Sequence, residues 1–191
     1  MSDPRRALVW KAVMEIALVA IGVFLALMAD QWRSDRQHRE QARDALQRFK
    51  VEIETNQAAV AKVVEYHATT RTAIAGYLDP KTRDATKLQL AGIQPVVFEH
   101  TAWDLALATQ SLADIDPPLA FELARLYGMQ QMYAGLTGGL MQSMYLRPPS
   151  EDLPKFLHSV KIWLDDIVIH EPALAGNYEQ ILPMIDRALK D

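Results

Sequence analysis

The stretch EIALVAIGVFLALMADQW, Glu15 to Trp32, constrains this chain most, because between Ile16 and Met28 it carries no charged or strongly polar side chain. Apolar character continues backwards through Met14, Val13, Val9 and Leu8. A helix that spans a bilayer needs about 20 residues, about 30 Å at 1.5 Å per residue, and Trp10 to Trp32 gives that separation. The two tryptophans are placed as interfacial anchors, with amphipathic rings at headgroup level on either side. Lys11 lies just inside one interface and can snorkel outward. Glu15 follows one turn later on the same face, where it meets Lys11 or a polar group on a neighbouring helix. A cleaved signal peptide would need small residues at −3 and −1, and Leu27-Met28-Ala29-Asp30 supplies only the second. A buried core helix would need the remaining chain to wrap it on all sides. The stretch is therefore read as an N-terminal transmembrane helix, on which Gly22 and Ala26 form a small-x-x-x-small pair that lets a second helix approach.

Orientation rests on charge. Arg5, Arg6 and Lys11 precede the span, whereas Arg33, Arg36, Arg39, Arg43 and Arg48 follow it. A count of basic residues would hold the larger part in the cytoplasm. Asp35, Glu40 and Asp44 offset that second cluster, long domains translocate largely regardless of charge, and a short tail with two arginines is the more usual cytoplasmic end. The expected location is a bacterial inner membrane, crossed once, with the C-terminal domain in the periplasm.

The segment EIALVAIGVFLALMADQWRSDRQHREQARDAL resembles the N-terminus of a family of uncharacterised bacterial single-span membrane proteins. In that family an apolar helix closes on a small-acidic-x-Trp step and runs into an Arg-rich helix. HTAWDLALATQSLADID is similar to the family as well. The resemblance covers about the first fifty residues; it implies the topology and brings no activity with it.

Beyond Trp32 little stops the helix before Asp79-Pro80. Ala42, Leu46, Phe49, Ile53, Asn56, Val60, Val63, His67, Thr70, Ile74 and Tyr77 recur at alternating spacings of four and three, a heptad seam. Asn56, His67 and Thr70 interrupt it with polar groups that need partners if buried. An intramolecular bundle is the commoner way to cover such an edge, and a self-associating coil the other. Unbroken from the membrane, the helix would reach about 100 Å, so a bend is expected between Trp32 and Arg43. Residues 81–99 read as a connection with an extended piece at Val96 to Phe98. A short helix starts at Thr101 as a Thr-x-x-Asp capping box and sends Trp103 and Leu107 toward the core. Asp116-Pro117 starts the next helix, which runs to Leu146 before Pro148-Pro149. Another begins at Ser150 or Asp152 and breaks at His170-Glu171-Pro172, and a last one carries Tyr178, Ile181, Ile185 and Leu189 past a kink at Pro183.

The helix after Asp116 contains LYGMQQMYAGLTGGLMQSMYL, 126–146, without a charge. It is not a second span, since Gln130, Gln131, Thr137, Gln142 and Ser143 are costly in hydrocarbon. An uncharged helix is expected to be surrounded by protein. Met129, Met132, Met141 and Met144, together with the GxxxG pair Gly135 and Gly139, suit either core filling or a partner surface.

Chemistry is sparse. The chain has no cysteine, which removes disulfides, thiolate metal sites and a cysteine nucleophile. A formal charge of −4 leaves no basic surplus for nucleic acid. None of His38, His67, His100, His158 and His170 sits in a Glu-x-x-His or HExxH pattern. No serine lies in a Gly-x-Ser-x-Gly elbow and no phosphate-cradling glycine loop is present. The sequence thus predicts an all-α protein in three parts: tail and span at 1–32, a heptad-patterned helix at 33–80, and the connection and helices completing a bundle at 81–191. Its expected role is noncatalytic and without cofactor or metal: an accessory or scaffolding subunit of a larger membrane complex for transport, respiration or light harvesting. Its contacts would be lipid through Trp10, Lys11 and Trp32, and a membrane protein or second copy through Glu15, Gly22, Ala26, Met132, Gly135 and Gly139. A tethered sensory or ligand-binding bundle is the alternative, with an anchored enzyme behind it.

Overall fold

The computed structural model describes residues 4–88, 90–148 and 152–190; up to Ala17 it describes only the side chains of Trp10, Met14 and Glu15. The chain folds as an all-α four-helix bundle. α1 is a single helix, Pro4–Leu78, of 75 residues, about 110 Å long at 1.5 Å per residue. α2 is short, Thr101–Ala108, α3 spans Pro117–Tyr145, and α4 spans Leu153–Ala188. Single 3₁₀ turns at Ala85–Lys87 and Ser111–Asp114 punctuate the connections.

The heptad seam is the spine of the core. Ala42, Leu46, Phe49, Ile53, Asn56, Val60, Val63, His67, Thr70 and Ile74 are all buried, and α4 packs against α1 most extensively. The two run antiparallel: Lys50 pairs with Asp186 at 2.6 Å near one end and Arg71 with Asp165 at 2.6 Å near the other. α4 contributes Leu157, Val160, Leu164, Ile167, Leu174, Tyr178, Ile181 and Ile185. The intramolecular bundle therefore covers the edge. Ala42 is the first buried residue among those described, and the described side chains of α1 before it lie outside the core.

Several local signals resolve differently from their sequence reading. No break interrupts α1 between Trp32 and Arg43. α4 continues through Pro172 and Pro183: Pro172 removes one backbone donor, but Ile167, Glu171 and Leu174 around it are fully buried and held by packing. Asp152, not Ser150, caps α4 by accepting from the Lys155 N–H; Ser150 lies outside the described residues. Thr101 is the first residue of α2 rather than its cap, which is His100, and Asp104 turns back to hold the His100 ring at 2.6 Å.

The cap of α2 comes instead from fifty residues earlier. Buried Glu52 accepts the Ala102 N–H at 2.7 Å through one oxygen and the Tyr127 hydroxyl at 2.6 Å through the other. This carboxylate also suits the positive end of the helix. One turn further, Asn56 closes a two-way clasp on Glu99, accepting its N–H and donating to its carbonyl, both at 2.8 Å. His67 meets the Ile93 carbonyl at 3.0 Å, and the Tyr66 hydroxyl bonds to the Gly92 carbonyl and the Ala91 N–H. Gly92 adopts φ +93°, a conformation that favours glycine. Residues 91–99 of the connection are thus stitched along α1 by polar side chains. Val96 is buried while Val97 faces solvent.

Replacing Glu52→Ala strands the Ala102 N–H and the Tyr127 hydroxyl at once, and each buried unpartnered donor costs about 1–3 kcal/mol. Denaturant unfolding is expected to show a loss of about 2–4 kcal/mol, with a smaller loss for Glu52→Gln, which keeps an acceptor. Wild-type stability in Glu52→Ala would show that the clasp carries nothing.

Candidate functional site

Three regions could carry function: the protruding part of α1, a buried polar cluster, and a groove beside α3. In the first, every residue from Leu18 to Arg33 is exposed. Leu18, Val19, Ile21, Val23, Phe24, Leu25, Leu27 and Met28 stand around the whole circumference of the helix, each more than half exposed. Trp10 and Trp32 flank this collar and are exposed to a similar degree. Glu15, Gly22 and Ala26 are exposed as well, and a Cβ added at Gly22 would meet nothing within 4 Å. The Lys11 side chain lies outside the described residues. Among the described residues no helix is long and apolar enough to cross a membrane. The side chains of residues 12, 13, 16 and 17 lie outside them too.

The second region joins three helices and the connection. Glu171 on α4 takes His67 Nδ1 at 2.6 Å and the Tyr133 hydroxyl at 2.9 Å on the same oxygen, and all three residues are fully buried. His67 thus uses both ring nitrogens, Nε2 toward the Ile93 carbonyl and Nδ1 toward the Glu171 carboxyl. The second oxygen of Glu171 has no hydrogen-bond partner. Next to it Gln130 donates to the Tyr178 hydroxyl at 3.1 Å, and the Trp163 indole stands edge-on to His67 with ring centres 5.2 Å apart. His67, Glu171 and Tyr133 have no exposed surface. The geometry of the cluster serves to lock α1, α3 and α4 together. Sequence reasoning placed His67 on the seam but missed Glu171, whose only local signal was a supposed helix break.

The third region is concave. Segment 95–98, α2 and α3 enclose a groove of about 880 Å³. Its walls include Val96, Phe98, Trp103, Leu107, Tyr127 and Met141, and its floor includes Ala124, Gly128, Ala134 and Gly138. Trp103 and Tyr127 stack with ring centres 4.8 Å apart. Leu107, expected in the core, is half exposed at the groove wall. The uncharged helix is not surrounded after all: Leu119, Leu123, Leu126, Tyr127, Gln130, Tyr133, Thr137 and Leu140 form its buried face, while the opposite face is open, because α1 and α4 cover only one side. Met132, Gly135 and Gly139 lie on that open face outside the groove. Among the described residues no three histidine or carboxylate side chains converge as a metal set.

Burial pushes the phenols of Tyr127, Tyr133 and Tyr178 above the usual tyrosine value of 10, Tyr178 up to about 12. Glu52 acts in the same direction on Tyr127 and Glu171 on Tyr133. The folded state holds these protons more tightly than the unfolded state. Their contribution to stability is therefore complete below pH 10 and is lost as pH rises toward about 12. Tyrosinate absorbance followed with circular dichroism is expected to show these three phenols ionising only as the helices melt; ionisation of all six tyrosines with helices intact would contradict that burial.

No protein-family model, curated protein or solved structure shows a significant match to this chain.

Proposed function

We propose that the chain is a membrane-tethered helical bundle with a noncatalytic role, an accessory or scaffolding module of a larger membrane assembly. The observation that carries this reading is the collar from Leu18 to Met28, uncharged, apolar and exposed on every side of α1 before the helix enters the bundle. Burying its eight large side chains is worth on the order of 10–20 kcal/mol at about 1.5–3 kcal/mol each. A partner helix would cover one side only, whereas lipid covers all of them. Trp10 and Trp32 are separated by about 33 Å along the helix, the thickness of a bilayer's hydrocarbon core. The resemblance of the N-terminal segment to the bacterial single-span family supports the same topology. The noncatalytic reading is supported by the burial of the richest titratable cluster, His67, Glu171 and Tyr133, away from solvent. The groove beside α3 favours ligand binding as the second reading.

The tether is tested by washing membranes that contain the full chain with alkaline carbonate. The full chain is expected to stay in the pellet, whereas a chain beginning at Gln37, which keeps every buried residue, is expected in the supernatant. Release of the full chain by carbonate would overturn the tether. The accessory role is tested by mass determination after gentle extraction. A stoichiometric larger partner is expected, lost in Gly22→Leu or Glu15→Leu, and a lone monomer would overturn it.

A further inference from the structure

A basic cleft lies where α1 enters the bundle. About 750 Å³ in volume, it opens between α1, the turn Ser111–Asp114 with the start of α3, and the last turn of α4. Arg36, Arg39 and Arg43 line it from α1, and Arg187 lines it from α4. Spacings of three and four put the three α1 arginines within about 60° of one another on the helix. The acids of the cleft are largely spent: Glu40 pairs with Arg36 at 3.0 Å and Asp114 with His38 at 2.9 Å, which leaves Asp116. Nearby, Asp35 accepts from Gln31 at 2.8 Å, and Asp30 falls on the far side of the helix. Arg39 and Arg43 are exposed and have no ion pair among the described residues.

The bundle makes no use of this pair. Like charges four residues apart on a helix repel, and neither arginine bonds to another element among the described residues. The position of the cleft points to the missing partner. Along the axis, Arg36 lies about 6 Å beyond Trp32 and Arg39 about 10 Å, at 1.5 Å per residue. The headgroup layer outside the hydrocarbon is about 5–8 Å deep. Long side chains on a helix lean toward its N-terminus, which on α1 is the side of the collar, so Arg39 and Arg43 reach back toward that layer. The cleft floor is apolar, with Leu46, Ile115 and Leu119 all buried. A charge held against it is less screened than on an open surface.

We infer that this cleft receives the phosphate of an anionic lipid from the leaflet on the bundle's side, with Arg39 and Arg43 as its charge partners and Arg36 and Arg187 at its margins. The inference rests on the membrane-tether reading and adds to it the class of lipid that the anchored bundle meets. A planar guanidinium offers a phosphate two parallel donors. A zwitterionic headgroup carries its own cation, which competes with the arginines for the same phosphate.

The test places the full chain in nanodiscs of phosphatidylglycerol and phosphatidylcholine, in equal parts and with identical acyl chains. Gentle release in a mass spectrometer then identifies the lipids that stay bound. Phosphatidylglycerol is expected to be retained at least about 10-fold over phosphatidylcholine, since each arginine near an anionic surface is worth about 5-fold. Arg39→Gln with Arg43→Gln is expected to lower that ratio at least about 5-fold, while the melting temperature holds because both side chains are exposed. Arg48→Gln with Lys62→Gln removes the same charge from α1 further from the collar and outside the cleft, and is expected to leave the ratio unchanged. Equal retention of the two lipids by the wild-type chain would overturn the inference. So would equal loss in both double variants, which would make net charge the cause. A chain that fails to enter nanodiscs would overturn the tether and the inference together, whereas entry without lipid preference would overturn the inference alone.

Discussion

A single carboxylate decides how α2 and α3 attach to the rest. Glu52 sits on the buried face of α1 and spends its two oxygens on different elements, the first turn of α2 and a tyrosine of α3. Without it, the connection before α2 would have to satisfy a helix N-terminus in a place water does not reach, at a cost of about 1–3 kcal/mol per stranded group. Asn56 and His67 repeat the device along the same helix, each fixing a backbone position of the connection. Segment 95–98 and α2 form one wall of the groove because these clasps hold them there. The groove is thus a product of polar contacts to α1 together with the stacking of Trp103 on Tyr127.

The part of this arrangement that the sequence makes legible is the part with a period. The seam from Ala42 to Ile74 recurs every three and four residues, and every one of those positions is buried. The start of α4 follows from the Asp152 cap, α3 opens at Pro117 although the Asp116 side chain makes no capping bond, and the end of α3 falls one residue from its expected place. What local chemistry misreads is decided from afar. Pro172 looks like a stop because a proline disfavours the helix before it, yet Glu171 is held in helix by His67 and Tyr133 from two other elements. Thr101 looks like a cap, but the oxygen that caps α2 belongs to Glu52. The open face of α3 was hidden for a related reason: lack of charge signals burial only if enough helices surround the element, and this bundle has too few.

The same comparison separates the two regions that could meet other molecules. The collar is visible in sequence, because thirteen consecutive residues from Ile16 to Met28 without a strongly polar group need no tertiary information. The groove is not visible, because it is built from segments 95–107 and 124–141, which come together only through contacts to α1. The Thr137 hydroxyl and the Gln130 oxygen on the buried face of α3 become notable only once their lack of hydrogen-bond partners is known.

Continuity of α1 couples the two ends of the molecule. With 3.6 residues per turn, Glu15, Gly22 and Ala26 fall within about 60° of one another, and Phe49 on the seam lies roughly opposite Gly22. The face that would receive a partner helix in the membrane therefore points away from α4. Carried along the helix, that face runs through Arg33, Glu40, Gln47, Val51 and Ala58, all exposed, with Val51 standing nearly two-thirds free of the bundle. A partner docked on Gly22 and Ala26 would thus meet an uncovered side of α1 from the membrane to the middle of the bundle without displacing any core residue. The track borders α2, since Gln47 and Val51 share a hollow with Thr101, Ala102 and Leu105, whereas the groove beside α3 has no lining residue on α1. The seam commits α4 to the opposite side, so a partner along this face of α1 would not compete with anything seated beside α3 for the same residues.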